Sequence, residues 1–331
     1  MKTWIVGGAV LAVIAGVGLL VPVQSTARSV PASRPQAPPP GKASPPARPL
    51  ELLFIHHSVG DQLLAEPGKD GVKGQSSHGG GFRKLLEHDG YRVHTATYGS
   101  KLGEHTDLFD WPEKFQKHVD EIVTTADGNV AMPGGKKHDV VLFKSCFPNN
   151  RLVARGDAPG AATGPALTVE NAKAALRSIL PALERHPETL FVYLTIPPNA
   201  PRTYPERLGV WALRALTGRS TTSRMEKQAE LARELNSWVV SEHGWLEGYP
   251  KKNVAVIDYY DLLTGSGQSN LLVYPSKDGK DSHPTSEGQR KVAPEILRAL
   301  NAAVERAGIG RSADAAGAAP DASRLAATGG R

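Results

Sequence analysis

The stretch Leu52-Leu53-Phe54-Ile55-His56-His57-Ser58-Val59-Gly60 decides the fold of this chain. An apolar run of strand length stops at a small polar cluster that ends in glycine, which predicts a buried parallel strand followed by a tight turn. Ser58 then lies just beyond the carboxyl end of the strand, at the edge where ligands bind in open α/β sheets. Ser58 is therefore a candidate nucleophile, provided that other segments supply a base, an orienting carboxylate and oxyanion donors.

Strand-like and helix-like segments alternate from residue 51 onward. This alternation predicts a parallel sheet with helices on both faces and right-handed crossovers. Ser223 and Glu226 form a capping box for the fourth helix, and Pro181 is expected to kink or interrupt the third. The predicted strands are 51–55, 92–96, 139–143, 190–196 and 254–257, and the predicted helices lie near 80–88, 111–126, 168–187, 223–243 and 286–307.

The N-terminal 27 residues have the pattern of an export signal, with one lysine before a long uncharged apolar run and small residues that favour cleavage after Ala27. The apolar run is about 20 residues, long enough to span a bilayer, so an uncleaved anchor through residues 4–23 is the alternative. With either outcome the rest of the chain is expected to leave the cytoplasm, as a periplasmic or extracellular domain or one tethered to the membrane.

Two further segments are predicted to lie outside the folded domain. Residues 28–49 contain eight prolines and should form an extended linker, because such a composition cannot bury enough apolar surface to fold. The Ala- and Gly-rich residues 310–331 show no periodicity and are predicted to be disordered. A single folded domain over residues 50–309 remains.

Charge and cysteine content exclude several classes of protein. The formal net charge is +6, but residues 1–50 contribute five of these charges, so the folded part is close to neutral. Aromatic residues make up only 6% of the chain and no basic patch interleaves with them, which argues against a nucleic-acid groove. A single cysteine, Cys146, excludes an intramolecular disulfide and any multi-cysteine metal site.

Four polar clusters have the residue types that acyl transfer requires. They are Ser58, residues 98–107 after the second strand, residues 144–150 after the third, and residues 278–288 before the last helix. His283 can accept a proton from a serine, a nearby aspartate can fix its tautomer, and backbone N–H groups with an asparagine amide can hold an oxyanion. Each residue alone also suits a turn or a helix cap. Their order of Ser, Gly, Asn, Asp and His along the chain favours a catalytic site.

With these clusters the chain resembles the SGNH hydrolases, a superfamily of GDSL-like esterases, lipases and carbohydrate acetylesterases. The resemblance covers roughly residues 51–305 and is most specific in Asp281-Ser282-His283-Pro284. It implies a three-layer α/β/α sandwich with a five-stranded parallel sheet in flavodoxin-like order. By position, Ser58 matches the nucleophile, Gly103 and Asn149 the oxyanion residues, and His283 the base.

The chain departs from the usual pattern at three places. His56-His57 replace the Gly-Asp that normally precedes the nucleophile, and no glycine precedes the third-block asparagine. Lys280 stands where the carboxylate is customary, so Asp281 is assigned as the orienting acid and Asp278 is the alternative. Gly99 and Asn150 likewise remain alternatives to Gly103 and Asn149.

The resemblance implies a serine esterase that hydrolyses an O-acyl or O-acetyl ester, on a small molecule or on an envelope or extracellular polysaccharide, without metal or other cofactor. Two alternatives are an O-acyltransferase with the same triad and a non-catalytic carbohydrate-binding or envelope scaffold protein. A metal-dependent hydrolase built on His56, His57 and His283 ranks last, because adjacent strand residues point to opposite faces.

Lys144 is expected to pair with an acidic substrate group or a buried carboxylate, and Cys146 to be a small buried residue.

Overall fold

The computed structural model describes residues 44–67, 79–127, 129–164, 166–201, 221–276, 279 and 281–310, with only the backbone of 221–223. The expected export signal, most of the linker and the tail after residue 310 lie outside these ranges, so the boundaries assigned to them stay predictions. Over the described ranges, no helix combines the length and the apolar character that crossing a membrane requires.

Five parallel strands form the central sheet, in the order β2-β1-β3-β4-β5. At the carboxyl edge Ile55 is paired with Ala96 on one side and with Phe143 on the other, so the loops after these three strands meet at one level. This order is the flavodoxin-like one, and the predicted fold class is confirmed. The strands are β1 Leu50–Ile55, β2 Tyr91–Ala96, β3 Val140–Phe143, β4 Leu190–Leu194 and β5 Val254–Ile257.

Helices cover both faces of the sheet because successive strand residues alternate between two apolar cores. Leu53 and Ile55 pack into the core beneath α3, α4 and α5, whereas Leu52 and Phe54 pack into the core beneath α1, α2 and α7. The result is the three-layer sandwich that the SGNH resemblance implied. The helices are α1 Ser58–Leu64, α2 Phe82–His88, α3 Trp111–Thr124, α4 Val169–Glu184, α5 Thr221–Val240, α6 Tyr259–Leu263 and α7 Ser286–Ala307.

Several local predictions were wrong. The expected turn at Ser58 is the first residue of α1, and the interruption expected at Pro181 is absent, because α4 continues through this residue, which lies exposed in its last turn. Ser223 cannot cap α5, because that helix already begins at Thr221. The loop before α7 contains a short strand, β7 Asp281–Pro284, which pairs antiparallel with β6 Pro275–Ser276.

Asp258, the residue after β5, connects the sheet to α6. Its carboxylate accepts hydrogen bonds from the Asp261 N–H at 2.9 Å and from the Thr195 hydroxyl at 3.2 Å. Burial raises the pKa of Asp258 from 3.8 to about 6, and these hydrogen bonds oppose the shift without cancelling it.

Replacing Asp258 with asparagine should change how stability depends on pH. Because the folded protein binds this proton more tightly than the unfolded chain, the stability that the carboxyl gives is complete below pH 3.8 and is lost as the pH rises to about 6. The asparagine side chain has no proton to lose, so the unfolding free energy of the variant relative to wild type should rise by about 3 kcal/mol across this window. Urea denaturation at several pH values measures the difference, and a difference independent of pH would contradict the assignment.

Candidate active site

Two residues separate β1 from α1, and this short link places Ser58 at the edge of the sheet. His57 has extended backbone angles and is the N-cap, so Ser58 is the first helical residue and its N–H lacks an intrahelical acceptor. Glycine is required at position 60, two residues after Ser58, because a Cβ there would lie 2.4 Å from the Cβ of His56. The His-His-Ser-Val-Gly sequence therefore folds as a tight strand-to-helix junction.

Ser58, His283 and Asp281 form one hydrogen-bonded chain. Ser58 Oγ lies 2.8 Å from His283 Nε2, and His283 Nδ1 lies 2.6 Å from Asp281 Oδ1. When Nδ1–H donates to the carboxylate, the lone pair of Nε2 accepts the serine proton. Ser58 is 8% exposed and His283 is 7% exposed, so little water competes for these bonds.

Contacts of β7, of the N-cap that follows it and of Phe147 hold His283 in place. Ser282 Oγ accepts a hydrogen bond from the Ala200 N–H at 3.0 Å, and Thr285 caps α7 by accepting from Gly288 N–H at 3.2 Å. The ring of Phe147 packs edge-on against the imidazole, with centroids 5.2 Å apart. Asp281, on the same strand, supplies the carboxylate contact, whereas the alternative Asp278 lies outside the residues that the structure describes.

Gly103 lies in a loop after β2 whose backbone is fixed by side chains from other elements. Its carbonyl accepts from His57 Nε2–H at 2.6 Å, and Lys114 Nζ donates to the neighbouring carbonyls of Leu102 and Glu104. A Cβ at position 103 would meet Thr97 O at 2.0 Å, so only glycine fits. The Gly103 N–H donates back to the carbonyl and hydroxyl of Ser100.

The two candidate asparagines after β3 face different parts of the molecule. Asn149 turns toward the β2 loop: its Nδ2 donates to Asp107 Oδ1 at 2.7 Å and to Cys146 O at 3.2 Å. Asn150 donates to the carbonyls of Ile196 and Pro197, and its Oδ1 accepts from Asn236. Asn149 is thus tied to the same loop as Gly103, and Asn150 links β3 to the segment after β4.

His56 and His57 diverge and bind different partners. His56 is completely buried beside Phe54, and burial lowers its pKa to about 3. Burial also lowers the pKa of His57, whose ring spans Gly103 O and the Thr106 hydroxyl. Over the described residues no group of three metal-ligating side chains occurs. The two histidines therefore position the junction and the β2 loop.

Four side chains near Ser58 have surroundings that the sequence did not predict. Lys144 is fully buried, and its Nζ donates to Cys146 Sγ at 3.6 Å, while Cys146 Sγ lies 3.9 Å from Ser58 Oγ. In the described part of the chain no carboxylate lies within 4.0 Å of Lys144, so the expected buried carboxylate partner is not found, and pairing with an acidic substrate group stays a prediction. Burial also raises the pKa of Asp61 to about 6, and the Lys144 charge opposes this shift.

Tyr98 is the fourth of these side chains. Its ring stacks on His57 with centroids 4.0 Å apart. Burial raises the pKa of its phenol, and the neighbouring Ser58 opposes this shift. The ring is 54% exposed. Tyr98 opens the second polar cluster of the sequence, but a lone tyrosine in a loop does not indicate which residue it contacts.

Comparison with known proteins gives matches among solved structures only. No protein-family model and no curated protein matches the chain. A GDSL-like lipase from Bacteroides thetaiotaomicron is 12% identical, with a TM-score of 0.41 over 76% of this chain and 88% of that one. An acetylxylan esterase from Geobacillus stearothermophilus is 17% identical, with a TM-score of 0.37 over 78% of this chain and 96% of that one. A lipase/acylhydrolase from Enterococcus faecalis is 12% identical, with a TM-score of 0.35 over 76% and 96%.

One of these proteins, the GDSL-like lipase, carries the name of a group within the superfamily that the sequence motifs resemble. At such identities the likeness concerns the fold, which the sheet order already defines. The chemistry of this chain has to follow from its own residues.

Proposed function

We propose that this protein is a serine esterase, a carboxylic ester hydrolase with Ser58 as nucleophile, His283 as base and then acid, and Asp281 as orienting carboxylate. The observation that carries the proposal is the continuous hydrogen-bonded chain of these three residues at the carboxyl edge of the sheet. A scaffold protein that had lost catalysis would have no need to keep all three groups within hydrogen-bond distance. The metal-dependent alternative loses its ligands, since His56 is buried and His57 is bonded within the protein.

The reaction proceeds by acylation and deacylation. Ser58 Oγ attacks the ester carbonyl carbon while His283 Nε2 takes its proton, and the carbonyl oxygen becomes an oxyanion. The intermediate collapses, its C–O bond to the alcohol breaks, and His283 returns the proton to the leaving alcohol. Water then attacks the acyl-serine with the same base, giving a carboxylic acid and free Ser58. Every proton passes through His283, and no step uses a metal.

The Ser58 N–H, which has no acceptor within α1, is the first donor proposed for the oxyanion. The family resemblance adds the Gly103 N–H and the Asn149 amide. Both belong to the loops beside Ser58, but both now donate elsewhere, Gly103 to Ser100 and Asn149 to Asp107 and Cys146. Asp107 is exposed and can turn toward water, which would release the Asn149 amide.

We further propose that the substrate is an O-acylated carbohydrate outside the cytoplasm. The support is the export pattern of residues 1–27 and the proline-rich linker, together with acetylxylan esterases among the matching structures. Fractionation of cells that express the full chain, with N-terminal sequencing, tests this location. A mature chain that begins at Arg28 indicates cleavage, an intact N-terminus in the membrane fraction indicates an anchor, and an intact chain in the cytoplasm contradicts export.

Substitutions in the triad should separate the three roles. In the purified full-length protein, Ser58→Ala and His283→Ala should abolish hydrolysis of an aryl acetate, because each removes a group that the chemical step requires. Asp281→Asn should lower kcat by about 10⁴-fold, since an amide holds the wrong imidazole tautomer. Steady-state kinetics measure these effects, and circular dichroism checks that each variant is folded.

Asp278→Asn decides between the two candidate carboxylates. If Asp281 orients His283, the Asp278 variant keeps most of the wild-type kcat; the reverse pattern would assign the role to Asp278. Wild-type activity that Ser58→Ala leaves unchanged would overturn the esterase proposal. Acyl transfer to an added sugar, in place of release as acid, would identify the transferase alternative.

A further inference from the structure

Two contacts extend the hydrogen-bonded chain of the proposed triad beyond Ser58 into the core. Cys146 Sγ lies 3.9 Å from Ser58 Oγ, within hydrogen-bond reach of a sulfur atom, and either of the two atoms can be the donor. Lys144 Nζ donates to the same sulfur at 3.6 Å. Together with the contacts of Ser58 to His283 and of His283 to Asp281, these five side chains form one continuous line from an ammonium group to a carboxylate.

The two ends of this line fix the direction of the hydrogen bonds between them. The Lys144 ammonium has N–H groups and no lone pair, so it can only donate, whereas an ionised carboxylate such as that of Asp281 can only accept. Asp281 therefore takes the Nδ1 proton of His283, and Nε2 is left as the acceptor for the Ser58 hydroxyl. Because Ser58 has one hydroxyl proton and donates it to His283, its contact with Cys146 has to use the thiol proton.

The surroundings of Cys146 hold its sulfur in place. The Cys146 carbonyl accepts hydrogen bonds from the backbone N–H of Asn149 at 3.0 Å and from its side-chain amide at 3.2 Å. Lys144 is fully buried, and Cys146 and Ser58 are almost so, which leaves little water to compete for the weak hydrogen bonds of sulfur. Since no carboxylate of the described residues lies within 4.0 Å of Lys144, ion pairing there does not account for its burial.

We propose that Lys144 is a positioning residue for the nucleophile and that it acts through Cys146. Lys144 occupies a lone pair of Sγ and turns the thiol proton toward Ser58 Oγ. The thiol in turn occupies a lone pair of that oxygen and leaves the serine proton directed at His283 Nε2. No covalent bond forms at Lys144 or Cys146, and both residues keep their protons. The inference rests on the proposed esterase function and adds two residues to its machinery.

Infrared spectroscopy tests the direction of the Cys146 contact without any substrate. Cys146 is the only cysteine of the chain, so the difference between the spectra of wild type and Cys146→Ala isolates a single S–H stretching band. We expect this band in the purified full-length protein, and we expect it to move to higher wavenumber in Ser58→Ala, because the thiol then loses its acceptor. A band that Ser58→Ala leaves in place, or no S–H band in wild type, would contradict the proposed direction.

Lys144→Met tests the positioning role, because it removes the ammonium and keeps an unbranched side chain. In the purified full-length protein kcat for an aryl acetate should fall by about tenfold, the effect of losing one hydrogen bond to a charged group. KM should stay within about twofold of wild type, since Lys144 orients the serine and is buried away from the substrate. The free energy of unfolding should rise, because the variant no longer buries an ammonium group. A purely structural role would give the opposite pattern, with lower stability and an unchanged kcat.

Further variants control for these changes. Cys146→Ala should lower kcat by a similar factor, whereas Cys146→Ser, which keeps a donor and an acceptor at this position, should recover most of the loss. Lys173→Met is the matched lysine control, because it removes another largely enclosed ammonium, on α4, whose Nζ donates to Glu170 Oε1 at 2.7 Å. This variant should keep the wild-type kcat and KM.

The outcomes separate this inference from the esterase proposal. If wild type has Ser58-dependent activity and Lys144→Met keeps the wild-type kcat, the positioning role is wrong and the esterase proposal stands. If Lys144→Met does not fold, Cys146→Ala decides, and a wild-type kcat in that variant overturns the role. If wild type has no Ser58-dependent activity, both proposals fail together, even where the S–H band shows the expected contact.

Discussion

The hydrogen bond between Ser58 and His283 joins residues 225 positions apart in the chain. It forms only because the fold brings the elements that carry the two residues together. The serine side is fixed by β1 and the two-residue link to α1, and the histidine side by β7 and α7. Gln289 on α7 bridges the two sides: its Nε2 donates to Val59 O at 3.4 Å, while its Oε1 accepts from the Tyr259 hydroxyl at 2.9 Å. Because all of these groups are buried, loss of any one of them would leave an unpaired polar atom in the core.

Ionisable groups are buried beneath the nucleophile. His56 and Lys144 are fully enclosed and follow the paired ends of β1 and β3, where the Lys144 N–H still donates to Ile55 O. Burying an ammonium group with no carboxylate of the described residues within 4.0 Å costs several kcal/mol, so apolar residues at these positions would make a more stable protein. Buried polar groups near a candidate nucleophile are typical of an active site, where residues that serve catalysis lower the stability of the fold.

The sheet was predictable because each of its strands is a short, continuous apolar run, the pattern of parallel strands buried on both faces. Ser58 followed from the strand that ends before it, His283 from the order of the polar clusters and the family motifs, and the Asp281 assignment from proximity in sequence. Helix α1 was missed because it is only seven residues long and has no side-chain cap, so no start signal marks it. The stacking of Tyr98 on His57 was not predictable, because the two residues lie in separate loops. The hydrogen bonds that Gly103 and Asn149 donate were likewise not predictable, because their acceptors, Ser100 and Asp107, are not specified by the motifs.

The most direct test of the catalytic triad is covalent labelling of the full-length protein with a fluorophosphonate, followed by intact-mass and peptide mass spectrometry. Such a probe reacts with a serine whose proton an adjacent base removes. The account predicts a single adduct on Ser58 that forms far more slowly in His283→Ala. Absence of an adduct, or an adduct on the neighbouring Cys146 instead of Ser58, would contradict the assignment of Ser58 as the nucleophile.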